Sequence, residues 1–151
     1  MNVETIQHPL AAGRPVRENE VWEFPEGLIG FPALKRFARV ELDEAPPFQL
    51  LASLDEPAFA LVIVSPWIQV PDYELVLADD ALVPLGNPPV NDVEVAVSVV
   101  LPGPETPYSL NLRAPLLFSA GRRLGLQRAS TDDRHSDRFR PEASGASSCS
   151  S

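Results

Sequence analysis

The chain has 151 residues, 17 prolines, a single cysteine and a formal net charge of −9. That length suits one compact domain and excludes two of ordinary size. The lone Cys149 excludes a disulfide framework within the chain and makes a reducing compartment the default.

Apolar runs such as residues 58–64 fall far short of the ~18 residues a membrane-crossing helix needs. The N-terminus carries Glu4 and no basic residue ahead of an apolar stretch, so it does not read as a secretory signal. A cytoplasmic location and no membrane partner are expected. Before Pro115 prolines recur so often that long helices are excluded, because proline removes a donor and clashes inside a helix.

In chain order, the first expected element is a strand around residues 3–7, followed by one over 21–24. A short helix after Phe31 follows, with Pro32 suited to its first turn. Residues 37–42 read as a strand. Phe48, Leu50, Ala52 and Leu54 then alternate with Gln49, Leu51 and Ser53, a period of two. Residues 58–64 are apolar on both faces and read as a strand covered on both sides. Tyr73, Leu75 and Leu77 share one face with Glu74 on the other, another strand pattern. A second short helix is expected over 79–85, with Asp79 and Asp80 at its positive end and Gly86 as cap. Val93, Val95, Val97, Val99 and Leu101 form the longest alternating strand, and shorter ones fall at 109–112 and 116–119.

Pro46-Pro47, Pro66, Pro71, Pro88-Pro89 and the Pro102-Gly103-Pro104 cluster separate these runs, where turns belong. The fold class is therefore all-β: a compact antiparallel β-barrel-like domain with one or two short helices. It is expected to span residues 1–128. Residues 129–151 are polar and are expected to form a disordered C-terminal tail.

Charge divides the chain in three. Residues 1–39 balance, with five acids and five bases, and residues 113–151 carry seven arginines against four acids. Between them, residues 40–112 hold twelve acids and no lysine or arginine. Such a stretch repels nucleic acid and anionic membranes and favours basic partners.

Chemistry has little to work with. His8 and His135 are the only histidines, too few with one cysteine for a zinc site. His135 stands near Asp132, Asp133 and Ser136, but adjacent residues in a flexible tail cannot converge as a triad does. Asp79-Asp80 reads better as a helix start than as half a cation site. Gly27-Leu28-Ile29-Gly30 lacks the Lys-Ser/Thr of a phosphate loop. No catalytic residue, metal or cofactor is expected.

Several motifs together carry a resemblance. Residues 20–31 read Glu-Val-Trp-Glu-Phe-Pro-Glu-Gly-Leu-Ile-Gly-Phe. Ser65-Pro66-Trp67, Pro71-Asp72-Tyr73-Glu74-Leu75, Asn91-Asp92-Val93 and Asn111-Leu112-Arg113-Ala114-Pro115-Leu116 follow in order. This succession resembles the flagellar assembly factor family, FliW, over about residues 3 to 141. Arg138-Phe139-Arg140-Pro141 departs from the family's usual close. The resemblance implies a cytoplasmic, barrel-like protein that binds flagellin before export. It also implies binding to CsrA, the RNA-binding repressor of flagellin translation, with the two partners in competition. A monomer that does not itself bind nucleic acid is expected.

The partner-contact candidates are Leu28, Ile29 and Phe31 in a glycine-bounded turn, and Trp67, Ile68 and Val70 in a proline-bounded loop. Apolar loop residues either anchor a partner or plug the ends of the barrel. Asp72 and Glu74 are acidic candidates, against ordinary solvated charge. Asn111 is expected to bond the backbone at the turn into Pro115. Two other readings stand beside this one: a small barrel binding a ligand or cofactor, and an acidic inhibitor of another basic nucleic-acid-binding protein.

Overall fold

Residues 4–43, 45–100, 104 and 108–131 are described in a computed structural model of the chain. Eight strands form one sheet: β1 (Val21–Glu23), β2 (Arg36–Glu41), β3 (Gln49–Ser53), β4 (Ala60–Val64), β5 (Val93–Val100), β6 (Ser109–Leu110), β7 (Leu116–Ser119) and β8 (Leu124–Gln127). The order β4-β3-β2-β1-β8-β7-β5 closes when β5 pairs back onto β4, which makes a seven-stranded barrel. Closure leaves those strands no open edge. All pairings are antiparallel except β1 with β8, which share one parallel register pair, Glu23 with Leu124. β5 can serve three neighbours because it is long. Its first half meets β7, its second half meets β4, and its last two residues meet β6.

Cross-strand pairs share a face, and they identify the lumen. Trp22 lies beside Phe37, Arg39 beside Leu51, Leu51 beside Leu61, Ile63 beside Ser98, Ala96 beside Leu116, and Phe118 beside Gly125. Trp22, Phe24, Phe37, Leu51, Ile63, Ala96, Leu116 and Phe118 accordingly form one buried cluster. Trp22 meets Phe118 edge-on at 5.0 Å, and Phe24 meets Phe37 edge-on at 5.0 Å. Gly125 is required where it stands, since a Cβ there would overlap the Phe24 ring. The lumen is packed rather than hollow, as small barrels are.

The outside of the barrel is buried too. Ile6 and Tyr73 cover Ala38, Val40, Leu50, Ala52, Val62, Val64, Val97 and Val99 on one flank. Leu85 covers Val95, Leu117 and Leu126 on another. Strands β3 and β7 are therefore buried nearly throughout, which explains why apolar residues stand on both faces of each. Residues 58–64 owe their two-sided apolar character to the same arrangement.

Four expected elements take other forms. Residues 73–77 are extended but join no ladder. They cross the outer face as a strap, where Leu75 and Leu77 pack on the flanks and the Val76 carbonyl accepts the Thr131 N–H at 2.9 Å. Extended backbone alternates side chains with or without a neighbour, so the period of two is real and the pairing is not. After Phe31 there is only a turn, closed by Leu34 N–H to Phe31 O at 3.2 Å. The helix expected over 79–85 contracts to one 3₁₀ turn, Val83–Leu85, ended by Gly86 at φ 81°. Two further features were not anticipated: the four-residue helix α1 (Pro66–Gln69) and strand β8. The strand expected at 3–7 is reduced to a single bridge, Thr5 with Pro15.

The chain stays against the barrel as far as Thr131, with Ser130 buried and its N–H on the Arg113 carbonyl at 2.6 Å. Residues 132–151 of the expected tail, with His135 and Cys149, lie outside the described residues, as does Leu101. Among the described residues no helix is long and apolar enough to cross a membrane.

Candidate functional site

The first candidate cluster sits at one end of the barrel, in the β1–β2 connection. Leu28 and Phe31 exchange backbone hydrogen bonds of 3.1 and 2.8 Å, which leaves Ile29 and Gly30 at the tip of a tight turn. Gly30 has φ 86°, the left-handed conformation that glycine adopts without cost. Leu28 is buried in the lumen cluster and anchors the turn from below. Ile29 and Phe31 are 56% and 48% exposed. Phe31 is also held sideways, its ring 4.7 Å from Phe59.

Distant residues fix this turn. The Ile29 N–H donates to Gln127 Oε1 at 2.9 Å, and the Gln127 amide donates to Ala114 O at 3.1 Å. The Asp55 carboxylate accepts from the Lys35 and Arg36 N–H groups at 2.7 and 3.0 Å, stapling the exit of the loop. Arg128 grips Glu26 with two bonds of 2.9 and 3.3 Å, and that hydrogen-bonded guanidinium lowers the Glu26 pKa. Gly27, at φ 68°, packs so closely that a Cβ would lie 2.6 Å from the Pro32 backbone.

The second cluster follows β4. Pro66 starts α1, where its missing N–H costs nothing. Trp67 and Ile68 are 41% and 51% exposed, whereas Val70 is partly buried against the flank. Trp67 is aimed by its indole N–H, which donates to the Tyr73 carbonyl at 2.8 Å, and by an edge-on contact with the Tyr73 ring at 5.7 Å. The Tyr73 hydroxyl in turn donates to Leu112 O at 2.9 Å, and burial pushes its pKa up to about 12. Asp72 and Glu74 flank Tyr73 in sequence, are both exposed, and form no ion pair among the described residues.

The structure does not bring the two clusters together. Phe31 rests on Phe59, immediately before β4, and α1 starts two residues after β4 ends. At ~3.3 Å per residue the intervening strand sets them about 20 Å apart, at opposite ends of the barrel.

A third feature lies in the lumen on the Trp67 side. The Arg39 guanidinium stacks 4.3 Å from the Phe118 ring centre, donates to Gln49 Oε1 at 2.8 Å and pairs with Glu94. Gln49 passes the chain on to Glu41 at 2.7 Å. This network accounts for two of the central acids. Asp43, Asp72, Glu74, Asp79, Asp80 and Asp92 are exposed and form no ion pair among the described residues.

Asn111 behaves as expected: its Oδ1 accepts from the Arg113 and Ala114 N–H groups, each at 3.1 Å. Sequence reasoning did not find Phe59, Gln127, Asp55 or Arg128, which hold the first cluster in place. Gln127 acts on a residue 98 positions away, so no local pattern could point to it. Two clefts, of about 670 and 350 Å³, lie on the outer flank between residues 9–14, Leu42, Ala45 and Tyr108. Among the described residues no group of three or more His, Cys, Asp or Glu is placed to hold a metal ion.

The FliW protein family model matches residues 5–140. The chain belongs to the FliW family. A Clostridium beijerinckii protein named flagellar assembly factor FliW is 34% identical over 110 residues, covering 73% of this chain and 78% of that protein. The protein of the same name from Caldicellulosiruptor saccharolyticus is 34% identical over 139 residues, covering 89% and 91%. A crystal structure of a flagellar assembly factor FliW superposes with a TM-score of 0.74 at 28% identity, covering 83% of this chain and 88% of that one. The barrel is thus the fold of that crystal structure, and both exposed clusters lie within the matched residues 5–140.

Proposed function

We propose that this chain is a cytoplasmic, monomeric flagellar assembly factor that acts by binding rather than by catalysis. It binds flagellin before export and binds CsrA in competition with it, so flagellin translation is tied to the amount of unexported flagellin. Family membership supports the reading. The observation that carries it furthest is the exposure of Ile29, Phe31, Trp67 and Ile68 at the two ends of a barrel whose lumen is filled. Burying one such side chain against a partner is worth ~1.5–3 kcal/mol, so a few of them suffice to anchor a complex.

The charge distribution supports a way of acting on the repressor. RNA binding by a basic protein rests largely on phosphate neutralisation by Lys and Arg. The exposed acids of residues 40–112 that form no ion pair among the described residues raise the cost of RNA approach when held beside the RNA site. The effect is short-ranged, since the Debye length is ~8 Å at physiological salt.

The test is RNA release from CsrA on addition of the purified chain, measured from low to moderate salt. Release that weakens as salt rises is expected. Release independent of salt contradicts the electrostatic mechanism, and failure to bind either flagellin or CsrA contradicts the function.

A further inference from the structure

We infer that the chain's own C-terminal segment Arg138-Phe139-Arg140 docks in cis on the outer flank of the barrel, with the Phe139 ring in the apolar cleft beside Tyr108. The segment lies outside the described residues, and three observations on the described ones single it out as the occupant.

The first is the cleft itself. Its smaller part, of about 350 Å³, is walled by Leu10, Leu42, Phe48, Val62, Val99 and Tyr108. Phe48 and Tyr108 meet edge-on at 6.3 Å and make one wall aromatic. Leu10 is 45% exposed although it stands at this apolar surface. An open apolar hollow with an aromatic wall suits one more ring, because ring pairs gain beyond the area they bury. Phe139 is the one aromatic residue of the sequence outside the described residues.

The second is charge. The larger part of the cleft, of about 670 Å³, shares Leu10, Leu42 and Ala45 with the smaller, so the two are continuous. Among the described residues its charged lining is Arg14, Glu41 and Asp43. Arg14 is taken by Glu20 at 3.1 Å, Glu41 accepts from the neutral Gln49 amide, and Asp43 forms no ion pair among the described residues. Counting Glu20, three carboxylates face one guanidinium at this rim. Residues 134–140 bring Arg134, Arg138 and Arg140 against Asp137, while Asp132 and Asp133 come earlier, next to Thr131. An arginine stem can lie along apolar surface while its head reaches a carboxylate.

The third is reach. Ser130 donates its N–H to the Arg113 carbonyl at 2.6 Å, and the described residues end at Thr131. Arg113 follows Leu110 by three residues, and Leu110 pairs with Val99 in the cleft wall. Those residues and one ladder spacing put the exit within about 20 Å of the cleft. The eight residues from Thr131 to Phe139 span up to about 27 Å. Leu75, Leu110 and Leu112 belong to the same flank cluster as Val62 and Val99, so the path stays outside the barrel. A partner that uses this flank has to displace the tail first.

The experiment is methyl and aromatic NMR on the isotope-labelled full chain. The expected result is a set of NOEs from the Phe139 ring to methyl groups of Leu10, Leu42, Val62 and Val99, unchanged on dilution. Phe139→Ala is expected to shift those methyl resonances and to leave the lumen methyls of Leu51 and Leu116 in place. Leu10→Glu, at an exposed position, is expected to abolish the NOEs while the barrel stays folded. Arg138→Gln with Arg140→Gln is expected to weaken them and to remove their sensitivity to salt.

A Phe139 ring without NOEs to any of these methyls would overturn the inference, as would NOEs from Leu101 or Met1 in its place. Contacts that fade on dilution would overturn docking in cis and assign the cleft to the tail of a second copy. Arginine substitutions without effect would overturn the part given to charge.

Discussion

The two ends of the barrel hold their exposed side chains in different ways. Ile29 and Phe31 sit on a turn tied down by β8, by Asp55, by the Arg128–Glu26 pair and by the Phe59 ring. Trp67 and Ile68 sit on a four-residue helix steered by one indole hydrogen bond and one ring contact. The first surface is preorganised, so a partner that docks there loses little to ordering. The second is steered through Tyr73, whose sequence neighbours Asp72 and Glu74 are exposed.

Removing what the ends share should erase the contrast. Phe118 touches Trp22, Phe24 and Arg39 in the lumen, and Phe118→Ala is expected to cost ~3–5 kcal/mol. Chemical denaturation would show it as a lower midpoint, with both surfaces lost together. Gly27→Ala is aimed at the Phe31 end alone. It forces alanine to φ 68° against the Pro32 backbone, at ~1–3 kcal/mol. Its expected signature is faster amide exchange across residues 26–34, with Trp67 fluorescence unchanged.

Tyr73→Phe is aimed at the other end. It removes the bond to Leu112 O and should cost ~1 kcal/mol, with a shift in Trp67 emission. The pH dependence has a definite sign. The Tyr73 pKa is raised from 10.0 to about 12 in the folded chain, so its contribution is complete below pH 10 and is lost as pH rises through about 12. Alkaline titration should show one tyrosine ionising late in the wild type and none so late in Tyr73→Phe.

The smallest expected effect comes from Glu26, whose pKa is lowered by the hydrogen bond from Arg128. Its stabilisation is present above the usual carboxylate range and is lost as pH falls through the lowered value. The pair is solvent-exposed, so screening holds it to ~0.2–1 kcal/mol. Glu26→Gln should flatten the acid limb of a stability profile by no more than that.

What could be read from the sequence followed from local physics. Residues 93–100 and 116–119 alternate or fill with β-branched and aliphatic side chains and are strands. Proline spacing ruled out long helices, and the longest helix described has four residues. Residues 73–77 show the limit of periodicity, since an extended strap and a paired strand impose the same alternation. Strand β8 was missed because Leu124-Gly125-Leu126-Gln127 is short and contains a glycine. The reason for that glycine, the Phe24 ring, lies 101 residues away. The exposed candidates Ile29, Phe31, Trp67, Ile68, Asp72 and Glu74 were legible because apolar and acidic residues stood in turn-rich segments. Leu28 turned inward and Val70 packed against the flank. That the two clusters occupy opposite ends depends on the β4 direction and the Phe31–Phe59 contact, which only the closed barrel supplies.

The most direct test of a barrel that works through its surfaces is size-exclusion chromatography with light scattering. The chain would be run with flagellin, with CsrA, and with both together. The expected result is a binary complex with each partner and, in the mixture, two binary species whose ratio follows the partner concentrations. A single species containing all three chains would contradict switching, and a chain eluting alone in every run would contradict the function.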